Sequence, residues 1–121
     1  MISKYLSDLG MEESDLPCGW NPDDNRQPEW EKERVTYGFD ERETWSLDFS
    51  LGVWLYPRLC FFKEQGQGYP CGLTLKKWNN ILDDMIDGFK EVATKELFER
   101  DNDKIEKAYK LLSKHYSDLW W

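Results

Sequence analysis

At 121 residues, with 40% hydrophobic residues and seven Trp, six Tyr and six Phe, the chain is sized for one domain, residues 1–121, and is too apolar to be disordered. A net charge of −8 disfavours a generic DNA or RNA groove, which needs clustered Lys and Arg against phosphate, and suits solubility or contact with a basic partner. No apolar run reaches transmembrane length, and the three cysteines, Cys18, Cys60 and Cys71, stand at no metal-like spacing and read as free thiols of a reducing cytoplasm.

Ile2, Tyr5, Leu6 and Leu9 share helical spacing and Gly10 is a stop signal, so Met1 to Gly10 is expected as a short amphipathic helix without a cleavable signal pattern. Residues 11–39 read as a long irregular connection that contains Trp20 and Trp30. Pro17, Gly19, Pro22, Pro28 and the polar run from Asn21 to Asn25 break any period, and Val35, Tyr37 and Phe39 alternate as in a short extended piece. A helix begins near Asp40, with Asp40 and Glu43 spaced as a capping box. Its apolar stripe is Leu47, Leu51, Trp54, Leu55, Leu59 and Phe62, and Pro57 predicts a kink or break within it.

Gly66, Gly68, Pro70 and Gly72 make the next stretch a loop whose glycines suit positive φ. Thr74 caps the following helix, whose stripe is Trp78, Ile81, Leu82, Met85, Ile86, Phe89 and Val92. The short loop favours an antiparallel pair of helices. Asp101 to Asp103 interrupts the rhythm, and Asp103 with Glu106 resembles a second capping box. Ile105, Ala108, Tyr109, Leu112 and Tyr116 then continue as a further helix toward Leu119, Trp120 and Trp121, or the whole of 74–113 is one long helix. The expected fold class is all-α, a small helical domain built on an antiparallel helical hairpin.

Catalytic patterns are sparse. His115 is the only histidine and reads as an exposed helical residue near a C-terminus. With no close Cys or His pair, no structural metal is expected. Asp83, Asp87 and Glu91 follow four-residue steps and share a helix face, which keeps a Mg-dependent nucleotide pyrophosphatase as one alternative, although amphipathicity alone also requires a polar face there. The glycines of 66–72 lack the Lys and Ser/Thr of a phosphate loop. What remains is an aromatic cluster with an arginine, able to sandwich a base and pair with a phosphate. Trp54, Phe62 and Trp78 read as packing. Trp45, Asp48, Tyr56, Arg58 and Tyr69 are the ligand-binding candidates, around Pro57 and the loop Gly68–Gly72.

The residues Thr44-Trp-Ser-Leu-Asp48, Tyr56-Pro-Arg-Leu59, Gly68-Tyr-Pro70 and Trp78-Asn-Asn-Ile-Leu82, followed by Met85 and Phe89, resemble the pattern of a widespread group of small bacteriophage proteins. The resemblance covers about residues 37–92. It implies a non-enzymatic accessory protein of the host cytoplasm, with counter-defence as the favoured role. On that reading the chain sequesters a small nucleotide immune signal. Alternatively its acidic surface docks on a host defence protein, such as a nuclease or nucleic-acid enzyme. Neither reading requires a cofactor, and completion of the site across a homo-oligomer is compatible with both.

Overall fold

The helices over Leu75–Thr94 and Asn102–His115 form where apolar residues recur every three or four positions behind a capping side chain. The computed structural model describes residues 4–66 and 68–120, and every regular element among them is helical. They are α1 (Lys4–Asp8), α2 (Gln27–Tyr37), α3 (Arg42–Trp45), α4 (Leu47–Gln65), α5 (Leu75–Thr94) and α6 (Asn102–His115), with 3₁₀ turns at Glu13–Asp15 and Tyr116–Asp118. The all-α expectation holds. Ile2 and Trp121 lie outside the described residues. No helix among the described residues is long and apolar enough to cross a membrane. The chain divides into two compact units, Met1–Leu51 and Gly52–Trp121.

In the first unit α1 buries Leu6, and Gly10 at φ 69° ends the turn that follows, as its sequence position predicts. The expected irregular connection over 11–39 is corrected: Gln27–Tyr37 is an α-helix. Pro28 stands in its first turn, where a missing N–H costs no hydrogen bond, and Gly38 closes it in the left-handed region at φ 84°. Val35 and Tyr37 therefore sit on a helix rather than along an extended piece, and both are exposed.

The capping pair around Asp40 forms as expected, each carboxylate accepting a backbone N–H. Glu43 Oε2 accepts the Asp40 N–H at 3.0 Å. Asp40 itself is wholly buried, and its Oδ1 accepts the Arg42 N–H at 3.0 Å. Helix α3 stops after one turn because Ser46 is extended, at φ −145° and ψ 90°, before α4 begins.

In the second unit α4 runs through Pro57 without the expected break. Beside the proline, whose missing N–H leaves the Val53 carbonyl without its ladder donor, the Arg58 guanidinium donates to the neighbouring Trp54 carbonyl at 2.7 Å. The stripe predicted for α4 is split. Leu59 is buried and Leu55 and Phe62 pack against the core, but Trp54 is 56% exposed while Val53 and Tyr56 are buried in its stead. Leu47 and Leu51, at the start of the same helix, are also exposed.

Among the described residues of the loop after α4, positive φ is found at Gly72. Thr74 caps α5 as predicted, its hydroxyl accepting from the Lys77 N–H at 3.2 Å. Leu59, Trp78, Leu82, Met85, Phe89 and Ala108 form the core. Helices α5 and α6 are the most closely packed pair among the described residues, and Gly88 permits it. A Cβ at Gly88 would overlap the Ala108 Cβ and the Lys104 carbonyl oxygen.

Two helices, not one, follow Thr74. The break between them is tied down by Glu91, a buried carboxylate that accepts from Lys95 at 3.0 Å and from the Asp101 N–H at 2.9 Å. The cap of α6 is Asp101, which accepts from the N–H groups of Asp103 and Lys104, rather than Asp103 as its spacing to Glu106 suggested. The expectation of an exposed His115 is also corrected. It is buried at the end of α6, edge-on to Trp78 with ring centroids 5.5 Å apart.

Candidate functional site

Aromatic side chains from four places converge in the second unit. Trp78 comes from the first turn of α5 and Phe62 from the last turns of α4. Tyr69 stands on the loop between them, and Trp120 follows the turn after α6. Together with Gly66, Gly68, Pro70, Cys71 and Asp118 they line a cleft of 480 Å³. That volume lies in the range of small-molecule sites. Trp78 is the buried floor, at 3% exposure, whereas Tyr69 and Trp120 are exposed walls, at 55% and 77%.

Among the described lining residues Asp118 is the one charged group. His115 Nδ1 lies 3.1 Å from Asp118 Oδ2, at hydrogen-bonding distance, and the Asp118 side chain keeps 37% exposure. The carboxylate is thus positioned by a buried imidazole that is itself packed against the cleft floor. The faces of aromatic rings are the negative part of their quadrupole, so with the Asp118 carboxylate such a lining can attract positive charge.

The five residues singled out from sequence do not gather at this cleft. Only Tyr69 lines it. Tyr56 is buried within α4, on the same inner face as Val53 and Leu59. Arg58 is exposed, and its guanidinium lies 4.3 Å from the ring centroid of Trp54. Trp45 and Asp48 belong to the first unit, where Trp45 is 59% exposed and Asp48 accepts from the Ser46 hydroxyl. Asp118 and Trp120 were missed. The available signal was the three-residue step from His115 to Asp118, which places both on one side of a helical turn beside a run of tryptophans.

Trp45 borders a second constellation that looks like an anion site and is built as scaffold. Trp30 is packed beneath two arginines, with Arg42 at 3.9 Å and Arg26 at 4.8 Å from its ring centroid, and it meets Trp45 edge-on at 6.3 Å. Each arginine of the group already has a carboxylate. Arg26 holds Asp24 through two hydrogen bonds, at 3.1 and 2.9 Å, and lowers its pKa to about 2. Arg42 and Arg34 both pair with Asp40, at 2.8 and 3.2 Å. Burial pushes the Asp40 carboxyl up, but the Arg42 hydrogen bonds and the two positive charges outweigh it and hold Asp40 below its ordinary value.

Two of the three carboxylates in the α5 row, Asp83 and Glu91, are likewise occupied. Asp83 pairs with Lys63, and Glu91 with Lys95 at 2.9 Å. Burial raises the Glu91 pKa, and the Lys95 hydrogen bond and the Asp101 N–H lower it by more. Among the described residues no group of three or more His, Cys, Asp or Glu side chains is placed to hold a metal ion. Comparison of the chain with protein-family models, with curated proteins and with solved structures found no match.

Proposed function

We propose that the chain is a non-enzymatic accessory protein that acts by binding a basic partner protein, with the aromatic cleft as its anchor. One observation carries this reading. A cleft walled by Tyr69 and Trp120 holds a carboxylate and no cation among its described lining residues, on a chain of net charge −8. Large aromatics around a central pocket are the usual anchors of protein interfaces, and an acidic surround steers a basic surface toward them. The resemblance to small phage proteins suggests the setting, an infected host's cytoplasm, and three free cysteines suit a reducing compartment.

The reading uses an antiparallel α4–α5 hairpin as the frame of the cleft. Two observations support it. Gly52 lies against Phe89 and Val92, and further along α4 Lys63 pairs with Asp83, nearer the start of α5. The test is capture of host proteins on the immobilised chain with elution by graded salt. Capture of basic proteins that is released by salt and lost in Trp120→Ala is expected, and capture indifferent to both sinks the reading.

Sequestration of a nucleotide signal is the second reading, favoured by the same aromatic walls, which can stack a base. It would need phosphate contacts from outside the described lining, with Arg58 the sequence-based candidate. Calorimetry with cyclic and ADP-ribose-type nucleotides decides it, and absence of heat across the panel ends it.

A further inference from the structure

The chemistry of the cleft specifies a class of ligand more narrowly than its shape does. Phosphate or carboxylate groups entering it would meet Asp118 without a compensating Lys or Arg among the described lining residues. A neutral apolar group would leave the Asp118 carboxylate desolvated beside it, which is costly. A positive group on a narrow or planar stem avoids both penalties. It pairs with the carboxylate, and its apolar or flat parts lie against aromatic rings whose faces attract cations.

We infer that the cleft binds an organic cation, a guanidinium or alkylammonium head, between Asp118 and the aromatic side chains of Trp78, Tyr69 and Trp120. The inference rests on the cleft being a binding site and narrows what it binds. Three features fit it. The acidic group is held in place, because His115 Nδ1 sits 3.1 Å from its Oδ2 and His115 is itself buried edge-on against Trp78. The carboxylate remains 37% exposed and so is reachable from the cleft. The floor is buried and the walls are open, with Trp78 in the core and Tyr69 and Trp120 more than half exposed. A ligand head can therefore be enclosed without first displacing a packed side chain.

The experiment is titration of the full chain, by calorimetry and tryptophan fluorescence at matched ionic strength. The probes are Nα-acetyl-arginine amide, Nα-acetyl-Nε-trimethyllysine amide and tetramethylammonium, with AMP as the anionic aromatic comparator. Saturable binding of the cations is expected, weakened by about tenfold in Asp118→Asn, which is the size of a desolvated cation–aromatic and carboxylate contact. Asp118→Asn also alters the contact to His115, so Trp120→Leu on the exposed wall serves as the second variant, with the same loss and an unchanged melting temperature.

Tighter binding of the blocked amino acids than of tetramethylammonium assigns the cation to a partner's side chain. Equal binding assigns it to a free small ion, and both results support the inference. Binding of AMP without the cations overturns it and leaves the nucleotide reading. Cation binding that neither variant weakens overturns it too, since the site then lies elsewhere. If no probe binds while basic host proteins are still captured in a salt-dependent way, the ligand class is wrong and the partner reading stands. If neither occurs, both fall.

Discussion

In the unit that ends at Leu51 the most deeply buried side chain among the described residues is Asp40, while in the unit from Gly52 it is Phe89, with Met85 beside it. The first interior is organised by charge. Asp40 gathers Arg42 and Arg34, and Arg42 in turn stacks on Trp30 and donates to the Gly19 carbonyl. The second is organised by apolar packing on the closely fitted α5 and α6. Both kinds of interior can be ordered, but they fail differently. Apolar packing is lost in proportion to the volume removed. A buried ion pair is lost when either partner goes, because the other is left desolvated.

The largest effect should come from Phe89→Ala. The ring is wholly buried and meets Tyr109 edge-on at 5.1 Å, so its removal is expected to cost about 4 kcal/mol. Urea unfolding measures the loss, and amide exchange should place it in α5 and α6. A loss of the same size at pH 7 and at acid pH would mark it as packing.

Asp40→Ala is next, at about 3 kcal/mol near neutral pH, because Arg42 would remain largely buried without its carboxylate. Exchange should now quicken in α2 and α3. Unlike the first loss, this one depends on pH. The native Asp40 pKa is lowered, so its contribution is complete above the ordinary carboxylate value of about 4 and disappears as pH falls through the native value. The gap between wild type and Asp40→Ala should therefore narrow in acid. A gap that stays constant would mean that the first interior is packed like the second.

Gly88→Ala tests the closeness of α5 to α6 from the other direction, by adding an atom. The new Cβ would overlap both the Ala108 Cβ and a backbone carbonyl oxygen, and a carbonyl in a helix cannot swing aside. A cost of about 2 kcal/mol is expected, measured by thermal unfolding. Gly88→Ala combined with Ala108→Gly should recover part of it, since one of the two overlaps is then relieved.

The same division explains how much could be read from the chain. The α5 stripe was legible because Trp78, Leu82, Met85 and Phe89 answer to one rule, apolar spacing on a helix. Helix α2 was not, because it buries only Gln27 and Trp30 and shows no apolar period. Its signals were local ones, Pro28 at the start and Gly38 just past the end, and in a polar stretch they read as breakers. In α4 the sequence offers apolar residues on more than one face, so spacing could not say that Trp54 faces out and Tyr56 in. The cleft failed for a third reason. Its lining is drawn from residues 62 to 120, and although Gly68 to Cys71 lay in the loop that drew attention, Asp118 and Trp120 lay far outside it.

The smallest effect bears on a rule of local chemistry. Both Asp101 and Asp103 precede apolar residues at helix spacing, and sequence favoured Asp103 because Glu106 follows it by three. Asp101 prevails because its backbone is also held from outside the helix. Its N–H is donated to the buried Glu91, and the Arg100 guanidinium donates to the Val92 carbonyl at 3.1 Å. That fixes Asp101 in the extended conformation, at φ −81° and ψ 97°, from which a side chain can reach the N–H groups of the first turn. Asp101→Ala should cost about 1 kcal/mol and Asp103→Ala a few tenths, the residue of its favourable place near the positive end of the helix. Glu91→Gln should weaken the Asp101 cap as well, by loosening the backbone that presents it. If Asp103→Ala proved the costlier of the two, the turn between α5 and α6 would be held by its own sequence rather than by the buried carboxylate of the helix before it.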